Sequence, residues 1–179
     1  IVYQSHQTPY QMQNVYADHL GFDENKVQVI ANDIGGSFGI KLHAYPDEMA
    51  AVAASVILGR PIKYIADRHE SFLSDIHSRE MRATGRLALN REGQILGVDV
   101  DILSAIGAYS ISPRTSVGGG IQAIQFTGAP YQLPSFRGRV RIVYQNKTPC
   151  GAYRAVGQPI GCTIIEQLMD IAAAKLGID

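Results

Sequence analysis

The spacing of hydrophobic positions along the chain predicts three helices. The first begins at Thr8-Pro9-Tyr10-Gln11, a capping-box pattern with proline at the first helical position, and ends after Leu20 at Gly21. The second runs from Pro46 to Gly59 and the third from about Gly161 to Leu176, each with one apolar face. The inward residues are Met49, Val52, Ala53, Val56 and Ile57 in the second helix and Ile164, Ile165, Leu168, Ile171 and Ala172 in the third.

Alternation of apolar and polar positions predicts strands between these helices. Short strands are predicted at 26–31 and 62–65, and longer ones at 82–89, 95–103 and 137–144. Within 95–103, three apolar residues alternate with Asp99 and Asp101, which predicts one buried face and one solvent face. The mixed order of elements predicts an α+β fold with mixed sheets and packed helices.

Two stretches break these patterns. Residues 33–41 read Asp-Ile-Gly-Gly-Ser-Phe-Gly-Ile-Lys and directly follow a predicted strand. Their glycines permit unusual backbone angles and the close approach of a ligand. Residues 104–128 show no clear period, so a long loop is predicted there, and such loops carry function more often than packing.

Composition indicates a folded globular protein. The 179 residues are 46% hydrophobic, which suffices for a core. Because 16 basic residues balance 16 acidic ones, neither nucleic acid nor an anionic membrane is an expected partner. No apolar run reaches membrane-spanning length, no signal peptide is recognisable, and the absence of an initiator Met suggests a piece of a longer protein. Cys150 and Cys162 lack the paired spacing of a metal site and are expected to be reduced thiols.

Several motifs compete to explain the glycine-rich stretch. A P-loop is excluded by its spacing, because Gly39 is followed by Ile40 and then by Lys41 and Leu42. Gly35-Gly36-Ser37-Phe38-Gly39 does satisfy G-x-S-x-G, so a serine hydrolase using Ser37 is one alternative. That elbow requires a helix directly after the serine, whereas the next helical signal begins at Pro46. A glycine turn without any ligand is another alternative.

Three separated motifs resemble the molybdenum-binding subunit of the xanthine dehydrogenase and aldehyde oxidase family, the molybdenum hydroxylases. The first, G-G-x-F-G-x-K, is matched by Gly35, Gly36, Phe38, Gly39 and Lys41. The second, an aromatic-Arg pair followed by small residues, is matched by Tyr153, Arg154, Gly157 and Pro159. The third, a glutamine in a loop before a helix, is matched by Gln7. The similarity covers essentially the whole chain.

The resemblance implies that residues 1–179 form a molybdopterin-binding segment, as one unit or as two subdomains of about 1–66 and 67–179. The segment would be incomplete relative to the family's full subunit. Molybdenum would be held by a pterin, with or without a cytosine dinucleotide, and would have no direct protein ligand. The cofactor-binding residues implied are Gln7, Gly36, Phe38, Gly39 and Arg154.

The resemblance also gives each of these residues a role. The amide of Gln7 would donate to an oxo ligand, and the backbone N–H groups of Phe38 and Gly39 would face the cofactor's oxygens. Arg154 would place fixed positive charge beside an anionic centre.

Departures from the family motifs reduce the number of substrate classes that are expected. Leu42 replaces the glutamate of purine-hydroxylating members, Gln122 replaces their arginine, and Val156 replaces their stacking phenylalanine. Ala155 stands where carbon monoxide dehydrogenases place a copper-binding cysteine. A pocket built from Leu42, Gln122 and Val156 would be weakly polar, so the expected reaction is hydroxylation of an aldehyde or an N-heteroaromatic with water-derived oxygen.

The resemblance finally implies that the chain is one part of a cytoplasmic bacterial oxidoreductase. The family's general base is a glutamate in a later segment, so no catalytic residue is expected here and the base is expected beyond Asp179. The chain alone would be inactive. Its partners would be the remainder of the molybdenum subunit, an iron–sulfur subunit and a flavin subunit with FAD. The alternative is a noncatalytic scaffold or interaction module of the same ancestry.

Overall fold

The computed structural model describes residues 1–178, in which helices and strands alternate irregularly. The helices are α1 (Pro9–Leu20), α2 (Pro46–Leu58), α3 (Arg68–Ser74), α4 (Gly118–Phe126) and α5 (Gln158–Leu176). The strands are β1 (Val2–Tyr3), β2 (Val29–Ile30), β3 (Met81–Leu89), β4 (Ile95–Ala105) and β5 (Phe136–Val143). Single turns of 3₁₀-helix occur at Glu24–Lys26 and Ile40–Leu42.

The strands form two sheets. β1 and β2 pair in parallel, and a larger sheet has the order β3-β4-β5. In this sheet β3 and β4 are antiparallel and joined by the predicted turn at 90–93, whereas β4 and β5 are parallel. The sheet is therefore mixed, and the predicted α+β class is confirmed.

The main core lies between the larger sheet and helices α4 and α5. Val100 and Ile102 of β4 are completely buried, and Ile165 of α5 is 1% exposed. On the opposite face of β4, Asp99 accepts hydrogen bonds from Arg137, which lowers the pKa of its carboxyl group. The predicted alternation of β4 is thus confirmed.

A second, smaller core surrounds α1. Its buried centre consists of Met12, Val15 and Tyr16, and the apolar residues packed against it include members of β1, β2 and α2. Backbone hydrogen bonds join this half of the chain to the other, for example from Ala44 N–H to the Ser112 carbonyl oxygen, 2.9 Å apart.

Three predicted elements differ from the structure. The strand at 62–65 is wrong, because these residues have no strand partner within residues 1–178 and Ile65 is 73% exposed. Of the strand predicted at 26–31, only β2 (Val29–Ile30) is present. The loop predicted at 104–128 contains α4, whose glycines allow close packing: a Cβ atom on Gly120 would lie 2.9 Å from Val140 Cγ2.

Two finer predictions about helices are also wrong. Thr8 makes no side-chain cap on α1, and its hydroxyl oxygen lies instead 3.3 Å from Nδ1 of His6. The predicted apolar face of α2 is only partly covered: Val52 packs on the smaller core, but Ile57 is 82% exposed. The predicted face of α5 likewise ends early, with Ile171 54% exposed.

Across residues 1–178, no helix is both long enough and apolar enough to cross a lipid bilayer.

Candidate cofactor-binding site

The glycine-rich loop of residues 35–39 has a backbone that depends on its glycines. Gly36 has φ 118°, Phe38 has φ 54° and Gly39 has φ 100°. A Cβ atom on Gly39 would lie 2.5 Å from the carbonyl oxygen of Ala152, so a larger residue would push two loops apart. The sequence motif therefore corresponds to a close approach between the loop and the segment around Ala152.

Gln7 is hydrogen-bonded to this loop. The backbone N–H of Gly39 donates to Oε1 of Gln7 at 3.1 Å, and the Gln7 N–H donates to the Lys41 carbonyl oxygen at 3.0 Å. Because a backbone N–H can only donate, the atom that faces it must be the amide oxygen. The two N–H donors of Nε2 are left without a protein acceptor in the described chain, and Gln7 is exposed.

Arg154, more than 100 residues later in the sequence, contacts the same loop. Its backbone N–H donates to the Phe38 carbonyl oxygen at 2.8 Å, and its guanidinium carbon is 4.7 Å from the centre of the Phe38 ring. The ring face attracts the cation. No carboxylate of residues 1–178 forms an ion pair with Arg154, so its charge remains available to another anion.

The loop itself offers hydrogen-bond donors. The backbone N–H groups of residues 35–38 donate to no acceptor in the described part of the protein. We call the loop 35–39 together with Gln7 and Arg154 the cradle. It combines backbone N–H groups, one amide and one guanidinium, all of which favour anionic or oxygen-rich ligands.

Backbone strain is concentrated around the cradle. The non-glycine residues with positive φ among residues 1–178 are Phe38 at 54°, Arg79 at 61°, Ala155 at 66° and Val156 at 50°. All lie in the cradle or in segments bonded to it, since Arg79 donates to carbonyl oxygens of residues 153–156. Side chains other than glycine disfavour this conformation, and such residues cluster at functional sites.

His43, which follows the glycine loop in the sequence, is hydrogen-bonded to the loop 150–157. Its Nε2 accepts a hydrogen bond from the N–H of Ala152, and burial lowers the pKa of its imidazole to about 4. Neither His43 nor Arg79 lies in a motif recognised in the sequence, and His6 and His43 are both at most 1% exposed. Their roles depend on partners distant in sequence, which no local motif identifies.

The structure places the predicted substrate residues unevenly. Val156 lies in the strained loop beside Arg154. Gln122 is half-buried in α4, and this helix packs against Gly157, the residue after Val156: a Cβ atom on Gly157 would lie 3.0 Å from the Gln122 carbonyl carbon. Leu42 follows the glycine loop in a 3₁₀ turn and is only 7% exposed. The predicted cofactor residues, by contrast, all meet at the cradle, where Gly36 lies against the Phe38 ring.

The serine hydrolase alternative finds no support. A nucleophile elbow requires a helix directly after the serine, whereas Ser37 is followed by a single 3₁₀ turn and α2 begins only at Pro46. No histidine is hydrogen-bonded to Ser37 within the described residues.

Comparison with known proteins assigns the chain to a family. A family model described as "Molybdopterin cofactor-binding domain" matches residues 1–179. The chain belongs to this family. The chain is 37% identical over 176 residues to the nicotine 6-hydroxylase large subunit of Paenarthrobacter nicotinovorans. It is 33% identical over 180 residues to the carbon monoxide dehydrogenase large chain of Hydrogenophaga pseudoflava.

Solved structures agree with this assignment. The domain superposes on quinoline 2-oxidoreductase from Pseudomonas putida 86 with a TM-score of 0.92 at 32% identity, covering 99% of this chain. It spans 22% of that chain and 21–22% of the two relatives named above. The predicted resemblance to a partial segment of a molybdenum-binding subunit is thereby confirmed.

The residues present fit a molybdopterin. Its phosphate and the oxygen atoms around its metal accept hydrogen bonds, and the cradle supplies donors and one unpaired cation rather than carboxylates. The glycines at 36 and 39 allow the loop to adopt this shape, because both have positive φ and a Cβ atom at either would collide with the Phe38 ring or the Ala152 backbone.

Proposed function

We propose that the cradle is the part of the molybdenum cofactor site that this domain contributes to a molybdenum hydroxylase. One observation carries the proposal: Gln7, the glycine loop and Arg154 are distant in sequence, yet two hydrogen bonds and a cation–π contact join them. The donors on these segments that have no acceptor among residues 1–178 support a bound ligand with several oxygen acceptors.

Each residue then has a definite task. The Nε2 group of Gln7, the N–H groups of residues 36–38 and the Arg154 guanidinium would donate to oxygen atoms of the cofactor. Gly39 differs from the sequence-based expectation, because its N–H donates to Gln7 and so orients that amide. When bound, the molybdopterin would supply the redox centre that accepts two electrons from the substrate. No direct protein ligand to the metal is proposed.

For the reaction, we propose hydroxylation of an aldehyde or an N-heteroaromatic compound with oxygen from water. Leu42, Gln122 and Val156 would border the substrate, with Gln122 as the single polar side chain among them. The names of two relatives, nicotine 6-hydroxylase and quinoline 2-oxidoreductase, refer to N-heteroaromatic compounds, which supports this class. The general base would come from the part of the protein beyond Asp179, and the chain alone would be inactive.

The proposed assembly is larger than this chain. Relatives are named as large subunits or as a gamma subunit of a complex. We propose that the domain works with the remainder of its subunit, an iron–sulfur subunit and an FAD-containing subunit in the cytoplasm, with a pterin that is bound with or without a cytosine dinucleotide. We also propose two subdomains of about 1–66 and 67–179, and the presence of two separate hydrophobic cores supports this division.

The test is the molybdenum content of the full-length complex. Gln7→Ala and Arg154→Ala should each lower the molybdenum content several-fold, because each removes a donor to the cofactor. Gln125→Ala and Arg91→Ala make the same changes at exposed positions outside the cradle and should leave it unchanged. Full molybdenum content in both cradle variants would refute the proposal, and its absence from the wild-type complex would favour a noncatalytic scaffold.

A further inference from the structure

Arg79 binds the backbone of the loop that carries Arg154. Its Nε donates to the Val156 carbonyl oxygen at 3.1 Å, and its Nη2 donates to the carbonyl oxygens of Tyr153, at 3.0 Å, and Arg154. Its guanidinium carbon also lies 5.2 Å from the centre of the Tyr153 ring. No carboxylate of residues 1–178 pairs with it, so this side chain is bonded to main-chain oxygens instead of an acid.

The bonded loop is held in an unfavourable conformation. Ala155 and Val156 are consecutive and both have positive φ, which is rare for residues with a Cβ atom and rarer still for a β-branched one. Such a conformation persists only where surrounding contacts outweigh its strain. Arg79 supplies part of those contacts, because its donors engage the carbonyl groups of Tyr153 and Arg154 before the strained pair and that of Val156 within it.

Arg79 is itself strained, with φ 61°. Glycine would adopt this backbone angle without penalty, but it would have no side chain to donate. The arginine therefore makes contacts that offset its own unfavourable backbone, and those contacts all lead to the loop of Arg154.

We infer that Arg79 is a positioning residue for the cofactor site: its guanidinium holds residues 153–156 so that the Arg154 side chain stays in the cradle. The inference rests on the proposed function in so far as Arg154 binds the cofactor. The forked geometry matters, because a lysine presents its donors from one atom and cannot engage carbonyl groups along the loop in the same way.

A first test needs no cofactor. In the cofactor-free full-length protein, amide hydrogen exchange of residues 153–158 should rise at least tenfold in Arg79→Met, because the loop loses its side-chain partner. Arg82→Met, at an exposed position on β3, is the matched control and should leave this exchange unchanged. Equal protection in Arg79→Met and the wild type would overturn the inference.

A second test separates positioning from general stability. Loss of molybdenum during dialysis of the loaded complex should be about tenfold faster in Arg79→Met and only a few-fold faster in Arg79→Lys. Adding Val156→Gly to Arg79→Met should restore much of the retention, because glycine adopts the left-handed angle without support. Adding Val156→Gly to Ile102→Ala, which destabilises the buried core instead of the loop, should not restore retention in this way. If Arg79→Met does not accumulate, Arg79→Lys with and without Val156→Gly makes the same comparison.

The outcomes distinguish the inference from the proposed function. Retention that falls in Arg154→Ala but stays at the wild-type level in Arg79→Met would refute the positioning role alone. Unchanged retention in Arg154→Ala would refute the proposed function, while the exchange of residues 153–158 would still test whether Arg79 holds the loop. Failure of Val156→Gly to improve the Arg79→Met protein would show that relief of loop strain is not the basis of the effect.

Discussion

Nε2 of His43 accepts a hydrogen bond from the backbone N–H of Ala152 across 3.1 Å, and His43 has no exposed surface. A nitrogen that accepts this bond cannot carry a proton, so the bond requires the neutral imidazole. Burial disfavours the charged form as well, and together with its surroundings it sets the pKa of His43 near 4, below the ordinary value of 6.5.

This relationship predicts a stability change with pH. Between pH 6.5 and 4 the unfolded chain binds a proton at His43 that the folded chain does not, so the free energy of unfolding falls as the pH falls, by up to about 3 kcal/mol. His43→Gln keeps an acceptor but cannot titrate, and it should flatten this dependence. Thermal unfolding of the full-length protein from pH 7 to 4.5 measures the difference.

The matched control is His69→Gln, an exposed histidine in α3, which should retain the wild-type pH dependence. Burial also raises the pKa of Glu48 to about 7, but Glu48 is present in every variant and its effect cancels in the comparison. If the stability of His43→Gln depends on pH as strongly as that of the wild type, the lowered pKa of His43 is not the cause of the pH dependence.

Gly39→Ala should destabilise the protein more than Gly59→Ala does. Both glycines have positive φ, but a Cβ atom on Gly59 meets nothing within 4 Å, whereas one on Gly39 would lie 2.5 Å from the Ala152 oxygen. Gly59→Ala therefore reports strain alone, about 1 kcal/mol, and Gly39→Ala adds a backbone collision for a total of about 3 kcal/mol. The difference in thermal midpoint checks this, and equal midpoints would contradict the close approach of the two loops.

Gln7→Glu should separate hydrogen bonding from charge in the cradle. A carboxylate still accepts from Gly39 N–H, so stability should stay close to that of the wild type. The variant lacks the Nε2 donors and places negative charge beside the ligand, so molybdenum retention should fall about tenfold. Gln125→Glu makes the same change on an exposed turn of α4 and should retain molybdenum. Unaltered retention in Gln7→Glu would mean that the Gln7 amide does not face the cofactor.

Truncation in the main core should be severe. Ile102 is fully buried between the larger sheet and the helices, so Ile102→Ala should lower the free energy of unfolding by about 2–5 kcal/mol. Leu96→Ala, at a side chain 53% exposed on the same strand, should cost far less. Chemical denaturation of the full-length proteins provides the comparison, and similar losses would contradict the assignment of the core.

Regular elements could be predicted from the sequence where the signal is local. The β3–β4 hairpin, the alternation of Asp99 with buried neighbours and the glycine that ends α1 all follow from adjacent residues. Elements decided by distant contacts were missed. Consecutive glycines argue against a helix at α4, yet their small size lets that helix pack closely on the sheet. Residues 62–65 have the composition of a strand but no partner strand in the described chain.

For the cradle, too, only part could be predicted from the sequence. Its residues could be predicted because they lie in family motifs, but the motifs do not specify how they bond. That Gly39 donates to Gln7, and that Arg79 reaches Val156 across 77 positions, follows only from the tertiary arrangement. Neither the left-handed angles of Ala155 and Val156 nor the burial of His43 is apparent from residue type, because both arise from contacts between remote segments.

The central claim is tested most directly by an experimental structure of the cofactor-loaded, full-length complex. The account predicts cofactor oxygen atoms within about 3 Å of Gln7 Nε2 and of a backbone N–H of residues 36–38, with the Arg154 guanidinium beside them. A bound molybdopterin that contacts neither Gln7, the glycine loop nor Arg154 would contradict it.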